Sequence, residues 1–151
     1  MKRLLLLLFI VGSIHVLSAQ SIRIAGDWNY SIPNSDITNA GEDFTGIYTS
    51  TVNQVYLDVR YFRNWVVSIQ KNNIDWEDKI NIWLHRTGNG FGIGRIQGGK
   101  NYIQIIDKEI KFITGNGLHY FIPLQFQARN ISVTIPAHNY VTEIMYTLSA
   151  N

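Results

Sequence analysis

Apolar and polar residues alternate with a period of two along most of the chain, most clearly between residues 118 and 148. Ile122, Leu124 and Phe126 interleave with Pro123, Gln125 and Gln127, and Ile131, Val133 and Ile135 continue the rhythm. After the turn residues Pro136, Ala137, His138 and Asn139, the series Tyr140, Thr142, Ile144, Tyr146 and Leu148 alternates with Val141, Glu143, Met145 and Thr147. Such alternation marks strands with one buried face. It recurs earlier at Ile22 and Ile24, at Val55, Leu57 and Val59, at Trp65, Val67 and Ile69, and at Ile80, Ile82 and Leu84. Arg63 and Asn64 are placed for a tight turn between two of these strands. Residues 102–106 and 109–114 read as a hairpin around Asp107 and Lys108, and Gly115-Asn116-Gly117 as a further turn.

No stretch of eleven or more residues carries a helical apolar stripe, and β-branched and aromatic residues fill the apolar runs. About eight or nine short, mostly antiparallel strands, with a turn roughly every ten residues, predict an all-β protein: a single β-sandwich. Trp65, Val67, Ile82, Leu84, Leu124, Phe126, Ile144 and Tyr146 lie in the apolar phase of their strands and are the expected core.

The start of the chain breaks this pattern. Met1-Lys2-Arg3 is followed by an unbroken apolar run from Leu4 to Val11, and Leu17-Ser18-Ala19 supplies small residues before Gln20. That is the order of a secretory signal peptide. Residues 1–19 are therefore read as a leader and residues 20–151 as the β-sandwich domain, with no membrane span after cleavage. The domain is expected to be exported to a periplasmic, cell-surface or extracellular location. The chain has no cysteine, so apolar packing must stabilise it without a disulfide framework. Without Lys2 and Arg3 the charge balances at 11 basic and 11 acidic residues. A neutral domain with scattered charge offers no footprint for nucleic acid.

Few motifs suggest chemistry. Gly94-Arg95-Ile96-Gln97-Gly98-Gly99-Lys100-Asn101 approaches a phosphate-binding loop, but Asn101 stands where a hydroxyl should, and a strand pattern follows where a helix should start. Asp75, Glu77 and Asp78 cluster around Trp76, yet carboxylates this close in sequence seldom bracket a sugar as a glycosidase requires. They read as a solvated acidic turn. His85, His119 and His138 share no metal-ligand spacing, and no nucleophile elbow or thiol is present. No catalytic residue, metal ligand or cofactor is expected. Asn29-Tyr30-Ser31 and Asn130-Ile131-Ser132 match the glycosylation sequon, which matters only in a eukaryotic secretory pathway.

The tryptophans are more informative. Trp65 shares its phase with Val67 and Ile69 and is a core residue. Trp83 falls on the opposite face from Ile82 and Leu84, beside Asn81 and His85. An aromatic flanked by polar groups can stack on a sugar ring or sit in a protein interface. Trp76, Trp83 and His85 are the candidate ligand-binding residues. Tyr140 follows a turn and opens a strand, the position of a tyrosine corner, and with Trp65 and Tyr146 it is a structural candidate.

The segment Ile135-Pro136-Ala137-His138-Asn139-Tyr140-Val141-Thr142, with the closing Met145-Tyr146-Thr147-Leu148, resembles the end of bacterial secreted sandwich proteins. These include fimbrial subunits, spore-coat U-like proteins and WxL-type surface domains, in which a turn delivers a tyrosine to a last strand carrying a Tyr-Thr pair. The chain departs from them in lacking a disulfide, and Trp83 and Leu84 are adjacent rather than spaced as Trp-x-Leu. The resemblance implies an Ig-like sandwich that is not an enzyme but a structural or adhesive subunit, with other protein subunits as partners. Residues 21–25 form a strand at the domain's start that either pairs at home or is donated to a neighbouring subunit. The alternative is a carbohydrate-binding module that uses its exposed tryptophans. If the leader is cleaved as read, intact mass and N-terminal sequencing of exported protein will show a chain starting at Gln20; retention of the leader in that form excludes it.

Overall fold

The computed structural model describes residues 20–33, 36, 39, 41–44 and 46–151. The expected leader, residues 1–19, lies outside them. Nine strands follow in order: β1 Ser21–Ala25, β2 Tyr48–Thr49, β3 Val55–Asp75, β4 Asn81–Arg86, β5 Phe91–Ile93, β6 Ile96–Gly98, β7 Ile103–Gln104, β8 Ile110–Arg129 and β9 Val141–Ala150. All pairings are antiparallel and no α-helix occurs among the described residues. The protein is all-β, as the alternation predicts.

Two strands differ from the expectation of short elements. β3 has 21 residues and β8 has 20. The turn expected at Arg63 and Asn64 is instead a shift in the β3–β8 register between Arg60 and Asn64. Gly115 to Gly117 runs through the middle of β8 rather than reversing the chain. A straight strand of that length would span about 70 Å, whereas a domain this size is only roughly 35–40 Å across. Register irregularities at Leu57/Val59, Arg60/Asn64 and Val67/Ser68 bend the pair, as bulges do. At Phe121, which has a φ of 53°, the extra residue of a bulge is held by the Asp58 carboxylate, which accepts its backbone N–H at 2.8 Å.

Bending folds one continuous sheet over its own apolar face, giving a sandwich-like arrangement. β8 carries β3 and β2 along one side and β4, β5 and β6 along the other. β1 and β9 extend the sheet from the two halves of β3. Strand β1 pairs within its own chain, from Ser21 opposite Arg60 to Ala25 opposite Tyr56. The expected hairpin of residues 102–106 with 109–114 is absent, because β7 pairs with β4 instead. The Ile105 N–H bonds the Ile82 carbonyl and the Lys71 N–H bonds the Ile106 carbonyl, each at 2.8 Å. This segment therefore links β4 to the far half of β3. The rhythm at Ile131, Val133 and Ile135 forms no strand: the chain turns there, with the Val133 N–H held by the Asp43 carboxylate at 2.8 Å and the Ile135 N–H by the Ser132 carbonyl at 3.0 Å.

Leu57 and Val59 from one half of β3 meet Val67 and Ile69 from the other in one core, with Ile82, Leu84, Ile105, Ile113, Ile122, Leu124 and Phe126. Trp65 is fully buried at the bend. It lies opposite Gly115, where a Cβ would stand 2.4 Å from the indole Cζ2, so only glycine leaves room for the ring. Its Nε1 donates to the Gly117 carbonyl at 2.9 Å, and Gly117 takes the left-handed φ of 74° that presents this oxygen. Of the expected core, Ile144 and Tyr146 on β9 are only partly buried. Tyr146 nevertheless encloses its hydroxyl without a hydrogen-bond partner, and burial pushes that phenol's pKa upward.

Leu124 is fully buried and sits between Val55 and Arg86 of the flanking strands. Leu124→Ala should cost about 2–5 kcal/mol, the lost transfer energy plus a residual cavity. Equilibrium denaturation will measure it, and a change under about 0.5 kcal/mol would contradict this packing.

Candidate functional site

Strand β4 splits its residues cleanly between two environments. Ile82, Leu84 and Arg86 point into the core, while Asn81, Trp83 and His85 lie half-buried on the outer face. Directly opposite residues of antiparallel strands share a face. Asn81 therefore lies beside Arg129, Trp83 between Gln127 and Gln104, and His85 beside Gln125. The outer face of β4, β7 and β8 is thus a row of amides around an indole and an imidazole, with Tyr102 added from the segment before β7.

Side-chain bonds fix this surface. Gln125 donates through Nε2 to the Ser50 carbonyl at 2.9 Å, which orients its Oε1 outward. That oxygen accepts from the Tyr102 hydroxyl at 3.0 Å and lies 2.9 Å from His85 Nε2. His85 Nδ1 is 3.1 Å from the Lys100 carbonyl. Both partners of the ring are acceptors, so a neutral imidazole donates to one and the doubly protonated ring to both. The His85 and Tyr102 rings lie 3.9 Å apart. Gln104 donates to Asn81 at 2.9 Å.

Arg129 completes the face. Its guanidinium carbon stands 4.2 Å from the Trp83 ring centre and 5.8 Å from that of Tyr102, a cation–π arrangement. Two of its nitrogens donate to Gln127 Oε1, at 3.1 and 2.6 Å. The Trp83 Nε1 is buried without a partner, an unmet donor at the centre of the face.

The fold brings two of the three ligand-binding candidates together and separates the third. Trp76 lies just past the end of β3, where its Nε1 donates to the Ile80 carbonyl at 2.9 Å and so fastens the Glu77–Ile80 turn. Its ring meets Tyr140 edge-on at 6.4 Å. Tyr140 donates its hydroxyl to the Pro136 carbonyl at 2.7 Å, and neighbouring His138 pairs with Asp75 at 2.6 Å. This second aromatic group ties the loop before β9 to the end of β3. Trp76 is therefore a fastening residue at the end of β3, bonded to Ile80 and packed on Tyr140. Local alternation does not single out Tyr102, Gln104, Gln125, Gln127 or Arg129. The available signal was the polar phase of β8 beside its apolar phase, but nothing local showed that β4 would lie against it.

Other features offer less chemistry. Gly98 and Gly99 lead into β7 rather than a helix, so the region from Gly94 to Asn101 lacks the helix start a phosphate-binding loop requires. Among the described residues, no group of three His, Asp or Glu side chains is placed to hold a metal ion. No protein-family model, curated protein or solved structure matches the chain.

Burial raises the Tyr102 pKa above the ordinary tyrosine value, while the Arg129 charge pulls it down. Since the raised value is a property of the fold, the unfolded chain ionises first as alkalinity increases. The stability Tyr102 contributes is therefore complete below the unfolded value and is lost as pH rises through the folded one. Arg129→Gln removes the lowering influence and should move the phenol further up. Ultraviolet phenolate titration, taken as the difference from Tyr102→Phe, will show this; an unchanged value would mean that Arg129 does not act on the ring.

Proposed function

We propose that this chain is an exported, non-enzymatic adhesive module whose β4–β7–β8 face binds a carbohydrate. The observation that carries the reading is the Trp83–Tyr102–His85 group set in a row of oriented amides. Sugars present apolar C–H faces for aromatic rings, and hydroxyls that pair with amide and phenol groups. Gln104, Gln125 and Gln127 beside those rings supply both kinds of contact, and the face lies on paired strands, which hold such groups more rigidly than loops do.

A specific observation favours a second reading, the structural subunit implied by the fimbrial resemblance. Phe91 and Ile93 on the edge strand β5 are 74% and 75% exposed. They stand opposite Tyr120 and Leu118, so the four form an apolar strip of the kind that serves in protein contacts. Strand β1 is also an edge, mostly exposed and paired only with β3. These features suit assembly with other subunits, and an adhesive module can combine both properties.

The carbohydrate reading is tested by titrating oligosaccharides against the protein's tryptophan fluorescence and by calorimetry. Trp83→Ala should weaken binding by about tenfold or more, the effect of truncating a central aromatic contact. Trp76→Ala should leave affinity within about twofold, as expected for a site remote from the ligand. Failure of the wild-type protein to bind any oligosaccharide, or loss of binding through Trp76 rather than Trp83, would overturn the reading.

A further inference from the structure

The balanced charge of residues 20–151 hides an uneven distribution. Residues 79–106 contain Lys79, Arg86, Arg95 and Lys100 and no Asp or Glu. β8 adds Lys111 and Arg129, again without an acidic residue. The carboxylates lie elsewhere, at Asp27 to Asp43, Asp58, Asp75 to Asp78, Asp107, Glu109 and Glu143. The strands that build the Trp83 face are therefore basic, although the domain is neutral.

Several of these cations surround the aromatic group and lack a counter-charge. Arg129 lies over Trp83 and near Tyr102. Lys100 is exposed, and its backbone is fixed beside the platform by His85. Next to His85 is an open hollow lined also by Arg86, Thr87, Gly88, Asn89 and Lys100, with no carboxylate among them. Arg86 is buried at one side of this hollow. Backbone carbonyls of Gly98 and Gly88 and the Asn89 side chain solvate its guanidinium. None of Arg86, Lys100 or Arg129 is within ion-pair distance of an acidic side chain among the described residues. Arg129 and Lys100, neither of them paired with a carboxylate, impose a positive field on the face. Neutral sugars give such a field nothing to act on.

We infer that the ligand of this face is an acidic glycan, whose carboxylate or sulfate groups are met by Arg129 and Lys100 while the rings and amides of Trp83, Tyr102, Gln104 and Gln127 take the sugar. This inference rests on the carbohydrate reading above and narrows it. Guanidinium groups recognise planar oxyanions through paired, charge-assisted hydrogen bonds. Arg129 donates to Gln127 through Nε and one terminal nitrogen while its guanidinium lies over Trp83, which leaves the other terminal nitrogen to meet the ligand. Single-stranded nucleic acid would also offer rings and negative charge. It calls for a basic groove along a backbone, whereas this domain is neutral overall and most of the polar groups on its face are amides.

The test compares oligosaccharides of equal length by calorimetry: a neutral xylo-oligosaccharide, an oligogalacturonate and a sulfated galactan, with a single-stranded oligonucleotide as a fourth arm. The expected result is about tenfold tighter binding of an acidic arm than the neutral one at low salt, with affinity falling as ionic strength rises. Which acidic arm binds tighter identifies carboxylate or sulfate as the recognised group. Arg129→Gln and Lys100→Gln should each reduce acidic-glycan affinity and flatten its salt dependence, and Arg129→Lys should retain part of both. Thermal unfolding of each variant will verify its fold. Equal affinity for neutral and acidic sugars overturns the inference and leaves the carbohydrate reading standing. Binding of no sugar overturns both, as does tighter binding of the oligonucleotide than of any sugar.

Discussion

Trp65 packs over Gly115 at the point where the two long strands bend. Two strands of about twenty residues run side by side, and left straight they would expose a long apolar ribbon. The indole occupies the place where a Cβ on the facing strand would clash, and its N–H is satisfied across the bend by the Gly117 carbonyl. Register shifts in β3 and the bulge at Phe121 turn the strands around this point. Both halves of β3 then contribute to one core. In a chain without cysteine, that doubling of the apolar face supplies stability that no disulfide can.

The same folding decides what faces outward. Ile122, Leu124 and Phe126 commit their side of β8 to the core, which forces Gln125, Gln127 and Arg129 to the outer side. β4 does the same with Trp83 and His85. The candidate site is therefore the reverse of the core, made from alternate residues of the same strands. A slip of one residue in the β4–β8 register would exchange the two faces, so the packing that stabilises the domain also holds the platform in alignment.

The sheet's free edges follow a related logic. β5, β6 and β7 have three, three and two residues, and short edge strands limit accidental pairing. The exposed Phe91 and Ile93 are the exception, an apolar strip left beside a short edge. A contact surface there would lie on the opposite side of β8 from β3, away from the Trp76 and Tyr140 fastening at the end of β3.

The all-β class, the inward phase of the main strands, the burial of Trp65 and the outward setting of Trp83 and His85 are legible in the order of residues along the chain. Each is a matter of local alternation, and alternation is written in consecutive residues. It did not determine that Arg63-Asn64 and Gly115-Asn116-Gly117 continue their strands. A bulge and a turn use the same residues, and the chain continues or reverses according to whether a partner strand bends with it. Nor did it join Trp83 to Tyr102 and Arg129, or remove Trp76 from their company. Those neighbours come from strands distant in sequence, and only the hydrogen-bonded register of β4, β7 and β8 sets them side by side.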